Sequence, residues 1–383
     1  MANIMLDVNG WQTVLNFETG EPVEDLNDLI MEDMMKITPA LPYPGDTNPE
    51  SVDWTVDVAL AVSDYYNPDF IMLAFSTQQI IKINEQLTPE ESVAINERIF
   101  KQVTRFLEKT DYEAMVIGMG GMQDIKGVID QSKLSTGLTS TMCAYHYAGL
   151  FMSRENDADV IKNMEHIKYA ITKDDFKAAH PEMKDAYYGM LPDYLLMSSD
   201  GYVFNEMGKR GIVHKKTPRM MHELPVYTTL ERPNHILEVR GILERAMDEG
   251  KKVALIMLEG TGTEDFKFPY NMMGNQTEWF VHDQGLSQYL AVATGKPFYN
   301  YDYPPIVNSV NYLNTSEKYP YSQHFSVLPE DTIGRRPDKR TAAVGTRSGF
   351  IHETTMADIC VECHSRQLSM SGVFVLVNDP KDV

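Results

Sequence analysis

The chain has 383 residues, 43% of them hydrophobic, enough to bury one large α/β core or roughly two or three smaller ones. Its 34 Lys and Arg stand against 55 Asp and Glu, a formal net charge of -21, and the short basic stretches Lys215 to Arg219 and Arg335 to Arg340 read as solvated loops. Neutralising phosphates needs clustered Lys and Arg, so a nucleic-acid partner is not expected.

Met1 to Asn9 lacks a basic-then-apolar leader, and no apolar run reaches the roughly 18 to 20 residues that span a bilayer. Cys143, Cys360 and Cys363 are too few for a disulfide scaffold. A cytoplasmic protein with no membrane partner, forming a homo-oligomer, is the expectation. The 24 methionines read as adaptable core filling.

Residues 36–53 hold four prolines and read as an extended connector, which divides the chain into a segment 1–53, a first α/β half 54–190 and a second half 191–383. Asp57 to Tyr65 is predicted helical. Phe70 to Phe75 follows as a strand covered on both faces, and Glu90 to Lys109 as a helix started by Thr88-Pro89-Glu90-Glu91. The run Ala114 to Ile117 then breaks into the glycine-rich loop Gly118 to Asp124, completing a βαβ unit.

Thr139 to Ala148 and Asp157 to Tyr169 are predicted helical. Leu191-Pro192-Asp193 opens a strand Tyr194 to Met197, and a turn-rich stretch leads to a helix His235 to Glu249 capped by Gly250. A strand Val253 to Leu258 then breaks into Glu259 to Asp265. The order repeats that of the first half, so the expected fold is α/β, a mostly parallel sheet flanked by helices, with two similar βαβ-based halves. Residues 297–330 read as a long irregular wall or lid, and Thr341 to Val344 and Val373 to Val377 as short strands.

Loops leaving the carboxyl ends of parallel strands are where ligands bind, which makes these loops the candidate site. Gly120 and Gly121, with Gln123 and Asp124 behind them, offer amides and polar groups to an anionic substrate. The loop lacks the third glycine of a dinucleotide fingerprint, and its structural alternative is a tight turn. Gly260, Thr261, Gly262 and Thr263 sit among Glu259, Glu264 and Asp265, and crowded carboxylates make acids, bases or hard-cation ligands such as a magnesium site. Glu259 ends a buried run and is the leading acid or base, with Asp265 beside it; helix capping is the alternative for the rest of the loop. Ser76-Thr77-Gln78-Gln79 and Ser198-Ser199-Asp200-Gly201, with Ser199 and Asp200 as binding candidates, complete a four-ended site floor. His282, before Asp283, and His352 are the candidate proton carriers.

Cys360-Val361-Glu362-Cys363-His364 formally matches covalent haem attachment, but 19 residues follow it and no export signal precedes it. Zinc on Cys360, Cys363 and His364, helped by His352 or His324, and a redox thiol pair stand beside the reading of buried inert cysteines.

Pro68 to Met122, with its strand, long helix and Met115-Val116-Ile117-Gly118-Met119-Gly120-Gly121-Met122, resembles the second half of phosphodiesterases of the alkaline phosphatase superfamily, which end a comparable strand in Asp-His-Gly-Met. The resemblance covers about 55 of the 383 residues. Where that family places metal-binding Asp and His this chain has Met119 and Gly120, so the resemblance does not carry over two-metal chemistry.

The expected function is an enzyme, a hydrolase or lyase, acting on a small polar or anionic substrate through carboxylate and histidine groups. A non-catalytic small-molecule-binding or scaffold protein is the second expectation. A metal or redox protein centred on Cys360 to His364 is the third.

Overall fold

The computed structural model describes residues 3–8, 11–16, 21–23, 29–84, 87–130, 139–142, 146–151, 153–183, 185–204, 216–300, 331–346, 354–363 and 372–377. Its main sheet has ten strands: β1 (Asn3–Val8), β2 (Trp11–Asn16), β3 (Phe70–Phe75), β4 (Glu113–Gly118), β5 (Glu223–Thr228), β6 (Val253–Leu258), β7 (Asn271–Gly274), β8 (Thr341–Gly345), β9 (Ile359–Cys363) and β10 (Gly372–Val377). The spatial order is β7-β5-β4-β6-β3-β8-β9-β10-β1-β2. The central strands β4, β6, β3, β8 and β9 are parallel, and antiparallel strands extend both edges.

Alternation along each central strand feeds two cores. Ile71, Leu73 and Phe75 of β3 and Ala254, Ile256 and Leu258 of β6 pack with Val52, Val56, Ile99 and Phe106, from α2 (Ser51–Tyr66) and α4 (Pro89–Lys109). Phe70, Met72, Ala74, Val253, Leu255 and Met257 face the opposite way, onto Ile242 and Leu243 of α5 (Val239–Asp248) and Tyr289 and Val292 of α6 (Leu286–Thr294). Two further helices are α1 (Leu29–Ala40) and α3 (Thr77–Asn84), which leaves β3 directly. The fold is therefore α/β, with helices on both faces of a mixed sheet.

Local signals act as the sequence predicts at several ends. Thr88 and Glu91 form a reciprocal capping box at α4. The extended connector is shorter than expected, because α1 runs through Pro39 to Ala40 and α2 begins at Ser51. Proline removes the donor that would reach Met35 O four residues back, and Gln12 Nε2 replaces it at 3.1 Å.

The second half is not a copy of the first. Tyr194–Ser198 lies in a separate four-stranded antiparallel sheet with Thr139–Met142, Tyr147–Leu150 and Ile167–Thr172. A Pro-Asp turn before a short apolar run suits an antiparallel strand as well as a parallel one. The predicted helix at Thr139 to Ala148 is thus a pair of strands, and the one from Asp157 ends at Lys162 before a strand. The ten-stranded sheet draws strands from all three expected segments, 1–53, 54–190 and 191–383.

Between β4 and its antiparallel neighbour β5 the chain builds this small sheet and two short ribbons as an inserted module. The module leaves and rejoins the sheet at the carboxyl end of β4. Its Tyr147, Phe176 and Leu195 pack on Phe280, Val281 and Leu290, which covers that edge. No helix among the described residues is long and apolar enough to cross a membrane.

Candidate active site

Neighbouring strands β3 and β6 send their chains to opposite faces. β3 leads through α3 to α4 on one face, and β6 leads to α6 on the other. This is a topological switch point, the place in an open α/β sheet where ligands bind.

Glu259 stands there, the first residue after β6, and is fully buried. Ser76, the first residue after β3, donates from Oγ to Glu259 Oε1 at 2.7 Å. Tyr289 of α6 donates its hydroxyl to the same oxygen at 2.8 Å. Parallel pairing of Leu258 with Phe75 puts the Ser76 and Glu259 positions side by side, and alternation turns both to the α6 face. Two donors on one oxygen fix the carboxylate's orientation.

Amide side chains lash the loops around it. Gln78 donates Nε2 to Glu259 O and to Thr261 Oγ1. Gln284 accepts from Gly260 N at 2.7 Å and donates to Gly121 O at 2.9 Å, while Gln79 donates to Gln284 Oε1. Gln288 donates to Met119 O and His282 O, both at 3.0 Å. Lys82, buried on α3, reaches Gly260 O at 3.1 Å and Asp265 Oδ2 at 3.2 Å.

These bonds reassign the glycine loops. Gly120 N–H donates to Thr261 O and Gly260 N–H to Gln284, so two of the glycine amides expected to hold an anion bind protein instead. Gly260 adopts φ +72°, which favours glycine, and a Cβ there would lie 3.2 Å from Gln79 Cα. Gly262 admits the backbone of Gly121, whose N would sit 2.9 Å from an added Cβ. The glycines serve loop-on-loop packing.

Asp265 is held in its ion pair with Lys82, and Thr263 donates to Glu264 at 3.3 Å. His282 lies in the segment leading into α6, but its Nε2 faces Thr277 Oγ1 at 3.2 Å rather than Glu259. Burial first, then the neighbouring His235, pushes its pKa down to about 3. A ring held neutral at pH 7 by so low a pKa is a weak base.

Gln123 and Asp124 lie on a ribbon paired with Lys216–Pro218, where the exposed Asp124 meets Lys216 at 3.0 Å. Ser199 and Asp200 belong to the inserted module, bonding His166 O and Lys126 through their backbones. The four expected strand ends therefore do not lie together; those after β3, β4 and β6 do. His352, His364, His324, Cys143 and 301–330 lie outside the described residues.

Cys360 and Cys363 are both buried in β9. A three-residue offset in a strand puts them on opposite faces. Cys360 packs among Phe70 and Met72, and Cys363 Sγ donates to Thr346 O at 3.0 Å. Burial raises both thiol pKa values well above the ordinary range. A shared zinc or a vicinal redox pair does not fit this geometry. Among the described residues no three His, Cys, Asp or Glu side chains are grouped to hold a metal ion.

The sequence reading missed Lys82, Gln284, Gln288 and Tyr289. Gln284 and Gln288 stand four apart around the start of α6, a spacing that puts both on one side and was legible. Comparison with protein-family models and with curated proteins finds no match for this chain.

Proposed function

We propose that this chain is an enzyme, a hydrolase or lyase, that acts on a small polar substrate in the crevice between the ends of β3 and β6. Glu259 is the acid–base group, and Ser76 and Tyr289 position it. The observation that carries this reading is the convergence of both hydroxyls on one oxygen of a buried carboxylate at the switch point. Such a group needs a defined direction to exchange a proton with a bound substrate.

Turnover of a panel of small esters, amides, hydroxy acids and amino compounds by the wild-type chain and Glu259→Gln tests it. The isosteric variant is expected to keep its fold and lose about a hundredfold or more of any activity. Equal turnover by both proteins refutes the assignment. A non-catalytic binding protein is the second reading, supported by the loop amides that serve packing; binding without turnover across the panel would favour it.

A further inference from the structure

The short antiparallel pair Gln276–Thr277 and Phe280–Val281 turns through Glu278 and Trp279 and then runs on into His282 and Gln284. This hairpin is seated on the inserted module. Trp279 stacks on Tyr169 with ring centroids 4.6 Å apart, and the Tyr147 hydroxyl donates to Val281 O at 2.7 Å and accepts from Val281 N at 2.9 Å. Glu278, the first of the two turn residues, has φ +53°, a left-handed conformation in which hairpins favour Gly or Asn. Its carboxylate meets His180, with Oε2 3.2 Å from Nε2, while Glu182 Oε1 lies 3.5 Å from Nδ1 of the same ring.

His180 is buried, closes the helix Lys173–Ala179 and lies against Phe176 and Tyr299, with ring centroids 4.6 and 4.0 Å away. An ionised carboxylate only accepts hydrogen bonds, and a neutral imidazole has a single N–H to give. Serving both glutamates therefore takes both ring protons. Of the other titratable groups here, Tyr299 is pushed up to about 12 by burial first and then by Glu278 and Glu182. Asp175 lies near Tyr169, and Lys177, one turn before His180, faces Asp185 at 3.6 Å. On the first strand of the hairpin, His222 and His235 meet Gln276, and His282 meets Thr277.

We propose that His180 is a proton-operated pin: as the imidazolium it joins Glu182 of the module to Glu278 of the hairpin, and on losing a proton it releases Glu278 and loosens 276–281. Glutamate ordinarily ionises well below pH 6, whereas imidazole exchanges its proton between pH 5 and 8. The pin therefore holds on the acid side and lets go as pH rises. The hairpin leads into Gln284, which ties Gly260 to Gly121, so the pin sits beside the loops around Glu259. It does not depend on Glu259 being catalytic.

Amide hydrogen exchange of the full chain at pH 6.0 and 8.5, corrected for the intrinsic rate and referred to β6, tests it. Amides of 276–281 are expected to exchange roughly two- to fivefold faster at pH 8.5, the scale of an ion pair whose carboxylates face solvent. The difference should vanish in His180→Gln and in Glu278→Gln. The Glu278 side chain is 54% exposed, so its variant decides the matter if His180→Gln fails to fold. Equal protection of the hairpin at both pH values overturns the proposal, as does a change that β6 shares in full. A difference that survives in either folded variant also overturns it and assigns the effect to His222, His235 or His282.

Discussion

His282 stays neutral in the folded chain down to about pH 3, against an ordinary value of 6.5, because burial and His235 oppose its charge. The unfolded chain takes up a proton below 6.5 that the folded chain refuses. The stabilising contribution is therefore complete above that value and falls with pH through the window between the two, by ~1.4 kcal/mol per unit. His146, also lowered by burial, acts in the same direction. Urea midpoints at pH 7.5 and 4.5 should show a steep acid loss in the wild type and a shallower one in His282→Gln; equal slopes would contradict it. Tyr289→Phe removes one of the two donors to Glu259 Oε1. It should cost about 1.5–3 kcal/mol, because the bond is to a buried carboxylate, and a urea midpoint unchanged from wild type would exclude that role.

At the scale of elements, legibility followed how local the cause was. β3, β6 and α4 were readable because continuous apolar runs and a capping box are properties of neighbouring residues. The strand Tyr147–Leu150 was not, since its partner Tyr194–Ser198 lies far along the chain, and Thr139–Met142 is a strand through its pairing with Tyr147–Leu150. The same non-local pairing decided Cys360 and Cys363: their spacing suggested a metal or redox motif until a strand placed them on opposite faces. In a Cys143→Ser chain neither of these thiols should react with a disulfide reagent in the native state, and both should react after unfolding; a fast native reaction would contradict the β9 geometry. Gly260→Ala, forced to φ +72° against Gln79, should cost about 1–3 kcal/mol in urea denaturation, and a neutral result would deny the close packing of the loops.

For the whole molecule, the sequence supported an α/β sheet and the place of Glu259 directly after a buried strand. It could not show that β3 and β6 would lie side by side, because strand order depends on how the crossovers wind. That adjacency brings Ser76 to Glu259 across 183 residues of chain. The inserted module then packs over the α6 side of the same edge. Hydrogen-exchange footprinting of the full chain, with and without the tightest-binding compound of the substrate panel, tests the placement of the functional centre most directly. Protection should be confined to 76–82, 118–121, 259–265 and 282–289. Protection centred instead on β9 or on the four-stranded sheet would contradict it.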